Sequence, residues 1–263
     1  MEPSQTTAAL NVAIAAAREA GKCIIQSIEQ LEQIQVKQKN RLELVSEIDL
    51  LAEKIIIEEL DRAHPEYNII SEECGDLGRD SELCWVIDPI DGTHNFLHGH
   101  PHCAVSIALK FKEDTVVGVV YDAIRNELFT ASKGRGAQLD GRRMRVSTNN
   151  KLSQSLLCTG FPYRDPKDTK PWLKTFALVL PRAQSIHRTG SSVLDFAYVA
   201  AGRYDGFWEF GMRTWDIAAG ALLVQEAGGL VTNMDGGTDL TSGNAIAGNP
   251  AIHEKLSYLL KAR

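Results

Sequence analysis

Two aspartates three residues apart, Asp88 and Asp91, are where this sequence first offers chemistry. They lie in Trp85-Val86-Ile87-Asp88-Pro89-Ile90-Asp91-Gly92-Thr93, where an apolar, strand-like run meets the first acid. Pro89 is expected to break that strand. Two carboxylates on one short turn are hard oxygen donors suited to Mg²⁺, and the Ile90 carbonyl between them is a candidate third ligand. The N–H groups of Gly92 and Thr93 can take phosphate oxygens, as helix N-termini do. A plain strand-end turn on Asp91-Gly92 has the same sequence, so spacing alone leaves both readings open.

The other acids also read two ways. Glu72, in Ser71-Glu72-Glu73, ends a second apolar run and is either a further ligand or part of a solvated loop. Asp216, in Thr214-Trp215-Asp216-Ile217-Ala218, either joins the site or faces the dipole of the helix it opens. Asp49 stands among apolar residues, as first-turn helix acids do. His94, His98, His100 and His102 crowd one segment, but no distant ligand or supporting acid accompanies them at zinc spacing, so zinc is not expected. Gly134-Arg135-Gly136 reads as a hairpin turn. Thr189-Gly190-Ser191-Ser192 either caps a helix or touches a polar ligand.

Hydrophobic periodicity supplies the elements that must position these residues. Helical spacing runs from Thr6 to about Gln33, and a second helix starts at Ser46, with Asp49 as its capping-box partner, and runs towards Pro65. Short strands are expected at Tyr67–Ser71 and Cys84–Ile87. Three strands joined by tight turns follow over 102–131, with a further hairpin at Leu139–Arg142. The second half alternates: strands near 155–159, 186, 206–210, 230–233 and 245–247, and helices over 165–180, 191–201, 214–227 and 252–262. This mixture predicts an α/β or α+β layered body.

Composition narrows the class. The chain has 263 residues, 44% apolar and 24% charged, which excludes a disordered or fibrous chain. A net charge of −6 argues against a general nucleic-acid coat. Five cysteines at irregular spacing fit reduced thiols better than a disulfide framework, and no apolar run is long enough to span a bilayer. A cytoplasmic protein without membrane partners is expected.

Taken together, Trp85–Thr93, Ser71-Glu72-Glu73, Thr214–Gly220, Gln225-Glu226-Ala227-Gly228-Gly229 and the flanking Val45–Asp49 and Ala247–Pro250 resemble the inositol monophosphatase family. The resemblance spans essentially the whole chain, with the motifs in the family's order. It is closest to a bacterial branch associated with ribosomal RNA transcription antitermination complexes. It implies a single domain over 1–263, a five-layer αβαβα sandwich with two lobes meeting near residue 150. It also implies Mg²⁺-dependent, lithium-sensitive hydrolysis of inositol 1-phosphate and related polyol phosphate monoesters, and a homodimer.

By motif match, Glu72, Asp88 and the Ile90 carbonyl hold one Mg²⁺. Asp88, Asp91 and Asp216 hold a second, and a third, looser ion sits near Glu72. Asp49 and Thr93 match the pair that orients the attacking water, with Glu72 grouped with them as catalytic. Asp91, Gly92, Thr93 and Asp216 match positions that bind substrate, the phosphate falling to Gly92 and Thr93. Glu209 matches an acid that contacts a sugar or inositol hydroxyl, with Ser192 near another substrate contact. Lys39 lies near the family's metal-loop lysine. Ser71 and His94 depart from the family's usual Gly and Thr, and neither is an expected ligand.

Competing activities are a fructose 1,6-bisphosphatase, a nucleotide 3′-phosphatase and an interaction role with transcription factors or RNA polymerase. A haloacid-dehalogenase-type phosphatase is disfavoured, because its acids lie two apart on a strand end, not three with a proline between.

Overall fold

The computed structural model describes residues 2–28, 31, 34–38, 44–162 and 164–261. Helix α1 (Pro3–Ile28) buries Ala9, Ala13, Ala16, Ala17, Ala20 and Ile24 along one stripe. Those small residues let it lie close to α2 (Glu47–Ala63), which turns Ile48, Ala52, Ile56 and Leu60 inward. A small ladder of β1 (Val36–Gln38) and β2 (Leu44–Ser46), which periodicity did not suggest, leads into α2. The expected helix end at Gln33 falls outside the described residues, which carry α1 as far as Ile28.

Behind these helices lies an eight-stranded sheet. Its strands are β3 (Asn68–Ser71), β4 (Gly75–Asp76), β5 (Leu83–Asp91), β6 (Ala104–Phe111), β7 (Asp114–Asp122), β8 (Glu127–Ser132), β9 (Gly136–Leu139) and β10 (Arg142–Arg143). The short α3 (Thr93–Leu97) follows β5. Spatial order is β10-β9-β8-β7-β6-β5-β3-β4, antiparallel except for β3 beside β5. The second sheet is β12-β11-β13-β15-β14, from β11 (Leu156–Thr159), β12 (Ser185–His187), β13 (Gly206–Glu209), β14 (Leu230–Thr232) and β15 (Ala245–Gly248).

Helices α5 (Ser192–Ala200) and α6 (Thr214–Glu226) fill the space between the sheets. Every residue of α5 from Val193 to Ala200 is buried, as is every residue of α6 from Asp216 to Val224, the signature of a helix covered on all sides. On the outer face of the second sheet lie α4 (Thr169–Val179) and α7 (Pro250–Lys261), sealed by Trp172, Trp208, Ile252 and Leu256. The layers run αβαβα. The helix expected from Asp165 begins only at Thr169, because Asp165 accepts from Lys167 N and closes a tight 3-10 turn over Pro166–Asp168.

Candidate active site

Pro89 does not end β5. The strand continues to Asp91, and the irregularity is a bulge: Asp88 pairs with Ser106 and Asp91 with Ala104, so three steps on β5 match two on β6. The ladder skips Pro89, which has no N–H to give. Strand residues three apart normally face opposite sides, and the extra residue brings both acids to one side. Ile90 N donates to Asp88 Oδ1 at 3.1 Å, fixing the bulge.

The chain then turns at Gly92, whose φ of +91° is left-handed and where a Cβ would lie 2.9 Å from the His102 carbonyl. That turn starts α3 at Thr93, whose hydroxyl lies 3.0 Å from Asp49 Oδ1 and 3.1 Å from the Ile90 carbonyl. Its single proton goes to one of the two, and a charged Asp49 is the stronger acceptor. Asp49 is also a helix cap: its Oδ2 accepts from Ser46 N at 2.8 Å and from the Ser46 hydroxyl, completing a capping box at the start of α2.

From the central layer, Asp216 comes off the first turn of α6. Its Oδ2 accepts from Arg213 N at 2.7 Å and from the Arg164 guanidinium at 2.5 Å. Its Oδ1 is buried and has no hydrogen-bond partner among the described residues. Asp91 meets the start of α5, where its Oδ2 accepts from Val193 N at 2.9 Å and from the Ser191 hydroxyl. Next to it, Ser192 Oγ donates to Glu209 Oε2 at 2.8 Å. Glu209 fits there because residue 160 is glycine: a Cβ on Gly160 would lie 2.0 Å from Glu209 Oε1.

Ligand oxygens of Asp88, Asp91 and Asp216 converge within 4.8 Å of one another, and this is the one such metal-competent group among the described residues. The four histidines form none. His102 is instead a buried ring set edge-on against Tyr198, pushed down to about 4 by burial and then by Arg125. Glu72, Ile90, Gly92, Thr93, Ser192 and Glu209 line the same cavity of about 80 Å³. Glu72 stands outside the three-acid group, but its charge acts on Asp88. Lys39 lies outside the described residues.

Burial first, then the charges of Glu72, Asp91 and Asp216, hold Asp88 well above the ordinary aspartate range. Asp91 is raised to about 7 by burial and then by Asp216, against the lowering effect of its bonds to Ser191 and Val193. Glu209 is raised to about 8, chiefly by burial. Crowded, desolvated carboxylates with one orphaned oxygen fit a divalent cation, which supplies the charge that the protein withholds. The hard oxygen donors suit Mg²⁺.

Sequence reasoning missed Ser191 as an anchor for Asp91, Arg164 as the partner of Asp216, and Gly160. Ser191 carried a helix-cap or polar-contact signal that did not point to Asp91, and Arg164 and Gly160 carried none, because their partners lie 100, 52 and 49 positions away.

A family model described as the inositol monophosphatase family matches residues 5–262. The chain belongs to that family. A Pseudomonas aeruginosa protein named Nus factor SuhB is 50% identical, covering 94% of this chain and 93% of its own. The crystal structure of extragenic suppressor protein suhB from Bartonella henselae superposes with a TM-score of 0.93 at 43% identity, covering 97% of this chain and 98% of that one. Inositol monophosphatase from Anabaena (Nostoc) sp. superposes with a TM-score of 0.86 at 37% identity, over 96% and 95% of the two chains. The αβαβα sandwich is thus that of the inositol monophosphatases, a family of phosphatases. All five cysteines are free, and no helix among the described residues is long and apolar enough to cross a membrane.

Proposed function

We propose that this inositol monophosphatase family member is a Mg²⁺-dependent phosphomonoesterase, hydrolysing inositol 1-phosphate and related polyol phosphates to the polyol and phosphate. The three-aspartate cluster, with Asp216 Oδ1 unpartnered among the described residues, carries this reading. Glu72, Asp88 and the Ile90 carbonyl would hold one ion, and Asp88, Asp91 and Asp216 a second, with room for a third near Glu72. Bound Mg²⁺ supplies an activated water and shields the leaving oxygen.

The chain's own groups do the rest. With its proton committed to Asp49, the Thr93 hydroxyl keeps lone pairs that accept from a water and hold it beside the acids. The N–H groups of Gly92 and Thr93 bind phosphate oxygens. Glu209, steadied by Ser192 and part-protonated near neutrality, meets a substrate hydroxyl as donor or acceptor. Water attacks phosphorus in line with the ester oxygen, with inversion and without a phosphoaspartyl enzyme.

The test is phosphate release from inositol 1-phosphate, fructose 1,6-bisphosphate and a nucleoside 3′-phosphate, with and without Mg²⁺ and Li⁺, for wild type and Asp91→Asn. Inositol 1-phosphate is the preferred substrate, and Li⁺ inhibits. Mg²⁺-dependent turnover of the variant equal to wild type would remove Asp91 from the site, and a trapped phosphoaspartyl enzyme would remove the direct attack.

A second reading stands beside the first, because the Pseudomonas aeruginosa relative is named a Nus factor. Under it, the chain also docks on a transcription complex. Recovery of RNA polymerase or transcription factors on the inactive Asp91→Asn protein supports it, and recovery of neither removes it. A cytoplasmic homodimer is proposed as well. The free thiols support the compartment, and Leu173 on α4 and Leu180 just past its end, seven apart and each more than half exposed, support the interface. Sedimentation velocity reads the mass, and a monomer at micromolar concentration counts against the dimer.

A further inference from the structure

The turn that carries Glu72 is held by a buried acid outside the cavity. Glu53 lies on α2 and is 6% exposed. Its Oε1 accepts from Glu73 N and from Cys74 N, each at 3.1 Å. These are the two residues immediately after Glu72. Glu72 itself is tied on the other side, its N–H donating to the Ile87 carbonyl at 3.2 Å, and the chain turns back through Gly75, which pairs with Ser71.

Two successive N–H groups aimed at one oxygen form a small anion-binding concavity, filled here by the protein's own carboxylate. Burying that carboxylate is unfavourable unless its hydrogen bonds are made, so the turn and the acid hold each other in place. Asp49 and Glu53 are four apart on α2, hence on one face. One reaches Thr93, the other the Glu72 turn. A single rigid helix therefore sets the spacing between the water-orienting pair and the proposed first cation ligand.

We propose that Glu53 is a positioning residue that holds the Glu72 carboxylate at the metal site through the N–H groups of Glu73 and Cys74. The inference rests on the reading that Glu72 ligates a divalent cation. It turns on an acceptor at a fixed reach, not on charge, and that separates two conservative variants. Glu53→Gln keeps an oxygen at the same reach. Glu53→Asp keeps the charge but falls one methylene short.

The experiment is the rise in melting temperature of the purified protein against concentration of Mg²⁺ alone, with the Mg²⁺ dependence of turnover alongside. Loss of a residue supporting a metal ligand costs about 10- to 100-fold in affinity. Half-saturation of Glu53→Asp accordingly moves up at least about tenfold, its turnover recovers at high Mg²⁺, and Glu53→Gln stays close to wild type. Leu256→Ala, in the distant outer layer, lowers the melting temperature without moving half-saturation. Glu53→Asp titrating like wild type, or Glu53→Gln shifting as far as Glu53→Asp, overturns the proposal. A wild-type chain with no Mg²⁺ response overturns the metal reading and this inference together, whereas a normal wild-type response with an unshifted Glu53→Asp overturns this inference alone.

Discussion

Asp49 divides its two oxygens between two tasks. One closes the cap of α2 through Ser46, and the other holds the Thr93 hydroxyl. The sequence offered a helix acid, which the capping box bears out, and the second oxygen at Thr93 is what supports the proposed water-orienting role. Thr93→Ala should lower kcat by about 10²-fold, the usual range for losing a group that manages protons, with little change in the Mg²⁺ needed. Steady-state kinetics across a Mg²⁺ series checks this, and a variant that loses Mg²⁺ affinity instead would make Thr93 part of the metal shell. The raised acids set a pH dependence. Asp91 at about 7 and Glu209 at about 8 stay protonated in the fold above their unfolded values. The stability they contribute is present below about pH 4 and lost as pH rises through 7 to 8. In chelator, the melting temperature falls from pH 5 to pH 8. Mg²⁺, which needs ionised ligands, restores more at the upper end. A metal-free melting temperature that climbs over that range contradicts this picture.

Elements were largely legible because their periodicities are clean. The capping box on α2, the hairpins through β6 to β10 and the two central helices lie within a few residues of where the pattern puts them. The failure at Pro89 is informative. Proline forbids one ladder bond, and the chain answers with a bulge instead of stopping, which is how both aspartates reach one side. The α2 cap gives the test at this scale. Ser46→Ala removes the acceptor for Ile48 N and Asp49 N and should cost about 1 kcal/mol. It also removes one of the donors to Asp49, so kcat falls several-fold, and Ser46→Thr rescues both. Denaturant unfolding and turnover, measured on the same samples, decide it. A stability loss at unchanged kcat would separate the cap from the site.

The whole molecule converges three helix starts, those of α2, α5 and α6, on the end of β5. Helix N-termini favour negative charge, so they ease the crowding of Asp49, Asp91 and Asp216 without cancelling the cost of burial. A cation that binds only the assembled cluster stabilises the fold by mass action, about 2.7 kcal/mol at a hundred times its dissociation constant. Chelation therefore lowers the melting temperature by several degrees and leaves the chain folded, because three extended cores hold the layers without the ion. Unfolding on chelation at 25 °C, followed by circular dichroism, would contradict that order of contributions.

Local sequence was enough for most of the elements, for the layered class and for naming the candidate acids. Periodicity and capping are local, and the motifs keep their chemistry in their residue types. Asp88, Asp91 and Asp216, grouped by motif match, come together in the fold, but only tertiary structure decided that Ser191 and Arg164 orient two of them and that Gly160 makes room for Glu209. Those partners are separated by about fifty to a hundred positions, and no local pattern encodes a distance across two sheets. The −6 net charge, unassignable as composition, acquires a place once the fold gathers part of the acid surplus into one desolvated cluster that a cation can neutralise.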